Sequence, residues 1–241
     1  TTTTATITST GSDAQTVNQL KTLTDTNGNN AYTITIHSND ATTDAASLNT
    51  INGITSVAVN CSNVTTVTGT AANVITAYAA NQAGTITGLG NEAITIDSGT
   101  ATAAQIVTLN GANGTSGAIT ATISNTAMAD LNTLHTNTTN ASNALTITLA
   151  NASTAASDIS NLYARTTVAV NGTDIPTITG NVAQCNTVYA AGAGQITGLG
   201  SEATPSKNTL TLNPIPISTP IFIPIPIPIP IPIPIPFPIP I

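Results

Sequence analysis

Few side chains in this 241-residue sequence are equipped for chemistry: two histidines, two cysteines, ten carboxylates and three cations. His37 closes a predicted strand and His135 a predicted helix, and no cysteine or carboxylate recurs beside either at the spacing of a metal site. Most carboxylates, such as Asp13, Asp44, Asp130 and Asp158, fall at or near predicted helix starts, where a carboxylate accepts from free N–H groups. Helix capping is therefore their expected work. Glu92 and Glu202 occupy matching places after two turns, Gly88-Leu-Gly90 and Gly198-Leu-Gly200, that lack the spacing of a phosphate loop. A structural role is expected for both. No converging titratable groups are visible, so no catalytic, cofactor-binding or metal-ligating residue is assigned and no enzyme is expected.

Cys61 and Cys185 sit at non-equivalent places in the sequence, several predicted coils apart. Strands stacked about 4.8 Å apart separate them by roughly 20 Å, whereas a disulfide needs Cα atoms within about 7 Å. Both are expected to be small buried fillers.

Composition narrows the rest. Apolar residues are 40%, aromatics 2% and charged residues 5%, with no Trp, so the interior must be thin layers of Ala, Val, Ile and Leu, and solubility must come from Thr, Asn and Ser. Disordered chains are charged and poor in Ile, Val and Leu; this chain is neither. A net charge of -7, with only Lys21, Arg165 and Lys207 as cations, excludes nucleic acids and anionic membranes as partners. Because Thr1 comes first, the chain is expected to be processed or a piece of something longer.

The elements that position these residues repeat. Thr85-Ile-Thr-Gly-Leu-Gly-Asn-Glu-Ala93 returns as Gln195-Ile-Thr-Gly-Leu-Gly-Ser-Glu-Ala203, and Val64 to Ala93 aligns with Ile175 to Ala203 through one gap opposite Asn81. Further back, Thr55-Ser-Val-Ala-Val-Asn60 falls on Thr166-Thr-Val-Ala-Val-Asn171. The period is about 110 residues, with copies over about 1–110 and 111–212. Within each copy, alternating strands such as Tyr32 to Ile36, Ala93 to Ile96, Ala118 to Ile123 and Leu145 to Leu149 are interleaved with apolar pairs at helical spacing. The pairs include Val17/Leu20, Leu48/Ile51, Ile106/Leu109, Leu131/Leu134 and Ile159/Leu162. Strands recur at about 21 to 28 residues, which predicts a repeat solenoid of parallel strands with short helices or arcs over residues 1–212.

Residues 213–241 differ: from Pro214 onward the sequence is almost strictly Ile-Pro. Proline fixes φ and forces its predecessor into extended conformations, so no helix forms and a membrane span is rejected. The tail is expected to be an extended spacer or a grip on a neighbouring subunit.

Seven Asn-x-Ser/Thr sequons begin at Asn60, Asn63, Asn113, Asn137, Asn140, Asn151 and Asn171, which is the number that about 26 Asn at a Ser-plus-Thr frequency of roughly 0.27 gives by chance. Outward pairs Thr6/Thr8, Thr33/Thr35, Thr120/Thr122 and Thr146/Thr148 form a Thr array of the kind found on ice-binding solenoids, interrupted where Val57-Ala-Val59 and Val168-Ala-Val170 place Ala outward.

The segments Leu48-Asn-Thr-Ile-Asn-Gly-Ile-Thr-Ser-Val-Ala-Val-Asn60, Thr65 to Val74, Ala77-Tyr-Ala79 and Ile86-Thr-Gly-Leu-Gly-Asn-Glu-Ala93 carry a family likeness. They resemble the low-charge repeats of very large cyanobacterial surface and secreted proteins. That resemblance covers most of Ala41 to Ala203 and implies an extracellular structural or adhesive role, with no catalytic residues to carry over. The expected function is a surface-fibre or matrix subunit that joins head to tail with copies of itself. The expected assembly residues are Thr4, Ala5, Thr6, Ile7 and Thr8 at one end, Thr209, Leu210, Thr211 and Leu212 at the other, and Ile215, Ile217 and Ile221 of the tail. The alternatives are an adhesin or carbohydrate-binding module facing a surface polysaccharide, and an ice-binding protein. Neither cofactor nor metal is expected.

Overall fold

The computed structural model describes residues 3–7, 15–25, 30–114, 117–137, 140 and 142–204. In chain order these form β1 (Thr4–Thr6), α1 (Val17–Leu20), β2 (Ala31–Thr33), β3 (Thr42–Asp44), α2 (Ala45–Gly53), β4 (Val59–Asn60), β5 (Thr66–Gly69) and α3 (Ala71–Gln82). There follow β6 (Ile86–Thr87), β7 (Ala93–Ile96), α4 (Ala103–Ala112), β8 (Ile119–Thr122), α5 (Met128–Asn137) and β9 (Ala144–Thr146). The last are β10 (Thr154–Ala155), α6 (Ala156–Tyr163), β11 (Val170–Asn171), β12 (Ile178–Thr179), α7 (Val182–Ala191) and β13 (Ile196–Thr197). The chain divides into two units, Thr1–Ser206 and Lys207–Ile241. All of these elements belong to the first, while the expected boundary at 212/213 and the Ile-Pro tail lie outside the described residues.

The fold is α/β, with short helices and parallel strands. Every strand pair among the described residues is parallel: a five-stranded sheet runs β3-β5-β7-β8-β9, and β1-β2, β4-β6, β10-β12 and β11-β13 pair separately. Single bridges at Thr35–Asn60 and Thr148–Asn171 extend these ladders. Each helix packs on the next, from α1 on α2 through to α6 on α7. A parallel strand pair requires such a crossover, because the chain must return before the second strand can begin.

Strand alternation decides which side chains enter the core. In β8, Ile119 and Ala121 are buried while Thr120 and Thr122 are exposed. Ile34, Ile36, Val67, Ile94, Leu145 and Ile147 point inward in the same way and meet Leu48, Val74, Ile106, Leu131 and Ile159 from the helices in one continuous core. Each buried Ile or Leu contributes roughly 1.5–3 kcal/mol. Thin layers filled by many aliphatic side chains thus replace the wide aromatic core that this composition lacks.

Helix ends are fixed by neutral side chains more than by carboxylates. Thr16/Gln19, Thr102/Gln105 and Asn181/Gln184 form reciprocal capping boxes, and Thr70 accepts from Asn73 N–H at 3.2 Å. Of the expected acidic caps, Asp44 accepts from Ser47 N–H at 2.9 Å, Asp130 and Asp158 lie in first turns, and Asp13 is outside the described residues. Thr50, Thr76, Thr108 and Thr187 donate to the carbonyl four residues earlier, which satisfies their hydroxyls inside the helices.

One expectation changes. Strands expected over Thr55 to Asn60 and Val168 to Val170 are regular only at Val59–Asn60 and Val170–Asn171. A threonine side chain takes the place of the main chain at their starts.

Candidate functional site

That threonine substitution is the first of three polar devices that join segments far apart in sequence. Thr55 Oγ1 accepts from Tyr32 N–H at 2.9 Å and from Val57 N–H at 3.1 Å, and donates to Tyr32 C=O at 2.8 Å. Thr166 makes the same three bonds, with Leu145 N–H, Val168 N–H and Leu145 C=O at 2.9, 3.1 and 2.8 Å. One hydroxyl therefore does the work of a peptide group at the same place in both copies.

Asparagines are the second device. Asn30 Oδ1 accepts from Thr3 N–H and Asn143 Oδ1 from Ile119 N–H, both at 2.9 Å. Asn143 Nδ2 also donates to Asn110 Oδ1 at 3.2 Å, Asn140 Nδ2 to Gly117 C=O at 2.8 Å, and Asn63 Nδ2 to Ile36 C=O at 2.9 Å. Asn30, Asn110, Asn113, Asn140 and Asn143 are all buried. A buried amide without these partners would be costly, so each bond ties together segments distant in the sequence.

The third device is the Gly-Leu-Gly-x-Glu turn. Glu92 folds back so that Oε2 accepts from Gly90 N–H at 2.7 Å and Asn91 N–H at 3.1 Å. Glu202 does the same with Gly200 N–H at 2.7 Å and Ser201 N–H at 3.0 Å. Gly88 has φ +87°, and a Cβ there would meet the Ser62 backbone at 2.7 Å. Glycine is required at that position by both its conformation and its closeness to the preceding coil.

Tyrosines then close both turns. Tyr78 Oη lies 2.7 Å from Glu92 Oε2 and 2.7 Å from Asn113 Oδ1, with Asn113 Nδ2 donating to Glu92 C=O at 2.8 Å. Burial, then the hydrogen bond and charge of Glu92, push the Tyr78 phenol well above its ordinary value. Burial, then Glu92, push the neighbouring Cys61 thiol up to about 12, so it is held as a protonated filler. Tyr189 faces Glu202 in the second turn, and what burial it has, then Glu202, raise its phenol too. Partial burial pushes the Glu202 carboxyl up, but the hydrogen bonds from Tyr189, Gly200 and Ser201 outweigh it and hold the group below its ordinary range.

These groups bind one another. Among the described residues no set of three or more His, Cys, Asp or Glu side chains is placed to hold a metal ion. His37 Nδ1 accepts from Asn39 N–H at 3.1 Å at the start of a 3-10 turn, and His135 lies in the last turn of α5 with Nδ1 3.5 Å from Arg165. Cys61 and Cys185 are free and buried, on different coils. No helix among the described residues is long and apolar enough to cross a membrane.

Of the expected assembly residues, Thr4, Ala5 and Thr6 form β1, and Ile7 N–H donates to Thr33 C=O at 3.0 Å. Thr8, Thr209, Leu210, Thr211, Leu212, Ile215, Ile217 and Ile221 lie outside the described residues. The sequence reading missed the coil-joining roles of Thr55, Thr166 and the buried asparagines. The exact alignment of Thr55 with Thr166 was the available signal. Comparison with family models, with curated proteins and with solved structures finds no match to this chain.

Proposed function

We propose that this chain is an extracellular structural protein without catalytic activity, a solenoid of stacked coils serving as a subunit of a surface fibre or matrix. The observation that carries the reading is the direction of its polar side chains. Thr55, Thr166, Asn140 and Asn143 are turned toward the main chain of the adjacent coil, so its polar chemistry is devoted to holding the stack in register. Such a design resists deformation along the stack and exposes parallel strand edges at its ends, which join copies head to tail.

Negative-stain electron microscopy of the purified chain, with and without Pro214 to Ile241, tests this. Filaments one coil-stack wide are the expected result, and filaments lost on truncation would assign the tail a clamping role. Dispersed particles at every concentration would reject the fibre reading.

A second reading, ice binding, is favoured by one observation. Thr68, Thr95 and Thr120 fall in register on three neighbouring strands, with Asp44 and Ala144 at the ends of that row. Absence of thermal hysteresis at millimolar concentration would remove it.

A further inference from the structure

The two ends of the described unit carry strand edges that correspond to the two edges meeting inside the chain. Inside the chain the first copy meets the second where β7 pairs with β8, Ile94 opposite Ile119 and Thr95 opposite Thr120. β1 is the counterpart of β8. Thr4 pairs with Ala31 as Thr120 pairs with Ala144, and Thr3 N–H is received by Asn30 as Ile119 N–H is by Asn143. Ala203 is the counterpart of Ala93, since it follows the second Gly-Leu-Gly-x-Glu turn and bridges to Thr177 as Ala93 pairs with Thr66.

Main-chain directions agree with this equivalence. Thr3 C=O and Ile7 N–H bond to β2, which turns the peptide groups of Thr4 and Thr6 to the opposite edge. At the other end Ala203 N–H donates to Pro176 C=O, which turns Thr204 outward as Ile94 is turned toward β8, where its N–H donates to Ala118 C=O at 2.9 Å. Among the described residues neither outward edge has a strand partner.

Each end also carries a hollow of mixed polar and apolar lining. One of about 270 Å³ includes Ile7, Leu20 and Leu23. One of about 230 Å³ includes Val188 and Ile196, which are buried, and Tyr189 and Leu199, which are more exposed than their buried counterparts Tyr78 and Leu89.

We infer that the partner of each end is a second copy of this chain, with β1 of one copy adding to the strand at Ala203–Thr204 of the next in the register of β7 on β8. This rests on the fibre reading above and specifies its joint. The joint differs from the internal seam in its pairs, where Thr204 and Thr3 replace Ile94 and Ile119 and Pro205 and Thr4 replace Thr95 and Thr120, and in its helices, because no described helix stands after α7 as α4 stands between α3 and α5. Less apolar surface is buried, so association is reversible and concentration-dependent.

Two proline substitutions test the joint, because proline deletes an outward N–H without touching the bonds made inside the chain. Full-length Thr4→Pro and Thr204→Pro are compared with the unmodified chain by analytical ultracentrifugation, with thermal melts confirming that both stay folded. The expected result is that each variant alone is monomeric where the unmodified chain forms long assemblies. An equimolar mixture should give dimers and nothing longer, since it contains one intact end of each kind. A double variant, Thr3→Ile with Thr204→Ile, should start to assemble at a concentration at least tenfold lower. Assemblies that persist in either folded proline variant, or an unchanged onset in the double variant, overturn this joint and leave the fibre reading standing. If those persisting assemblies vanish on removal of Pro214 to Ile241, the tail is the connector instead. A monomeric unmodified chain rejects the fibre reading itself.

Discussion

Tyr78 and Tyr189 occupy the same place in the two copies of the repeat and face the same glutamate turn, yet one is 1% exposed and the other 40%. The difference separates what the motif makes alone from what its neighbours add. Both glutamates collect the two N–H groups of their own turn, so the turn is self-contained. Burial comes from elsewhere. Asn113, at the end of α4, covers the first turn, and Asn81 holds Leu89 through both its amide atoms at 3.2 and 3.0 Å. The second copy has a gap where Asn81 stands, and no described helix follows α7. One motif is thus a core element beside α4 and a surface element where no described helix follows.

The widest test of this contrast removes the rings. Tyr78→Ala should destabilise the unit by about 3–5 kcal/mol, because the vacated volume lies in close-packed core, while Tyr189→Ala should cost about 1 kcal/mol or less. Denaturant melts of the two variants measure it, and equal losses would mean that the second turn is as well covered as the first. Next, Asn113→Ala leaves the Glu92 carbonyl and the Tyr78 hydroxyl short of a partner and should cost about 1–3 kcal/mol. No described residue takes the matching position at the second turn.

A pair of substitutions should show no contrast at all. Thr55→Val and Thr166→Val keep shape but take a partner from two main-chain N–H groups and one C=O, at about 1–3 kcal/mol each, and the two melts should coincide within error. A difference above about 1 kcal/mol would show that the hydroxyls are not equivalent despite their matching bond lengths.

The smallest effect is acid dependence at the exposed turn. The folded Glu202 carboxyl ionises below its ordinary value of 4.5. Its contacts therefore stabilise above about that pH and are lost as pH falls through the lower, folded value. Solvent screening keeps this to about 0.5 kcal/mol. Glu202→Gln should remove that much of the difference between melts at pH 6 and pH 3; a variant with the unmodified chain's full acid sensitivity would place the titration elsewhere.

The alternation Ile-Thr-Ala-Thr-Ile over residues 119–123 and the spacing of Leu131 and Leu134 made a parallel strand-and-helix scheme legible, because burial leaves a period in the sequence. Bonds between coils leave none. Asn143 reaches Asn110 across 33 residues, and in a sequence this rich in asparagine nothing marks it off from exposed Asn151. Glu92 was legible as structural because it recurs at Glu202, whereas Asn113 has no counterpart among the described residues and so gave no signal. Capping by Thr16, Thr102 and Asn181 was obscured for a similar reason: acids are scarce and conspicuous, and threonines are everywhere. Two of the chance-level sequons, at Asn113 and Asn140, begin with buried asparagines whose amides are already engaged.

The spacing of the coil-joining bonds also sets how the chain reaches this structure. Thr55 closes on Tyr32 across 23 residues, Asn140 on Gly117 across 23 and Tyr78 on Asn113 across 35. Loop-closure entropy depends on the logarithm of loop length, so each added coil meets nearly the same entropic toll. In the proposed solenoid, any adjacent pair of coils serves as the nucleus, and growth then proceeds as a zipper in both directions. Amide exchange should therefore be slowest in the middle of the stack, around β7 and β8, and quicken toward α1 and α7 as the zipper frays from its ends.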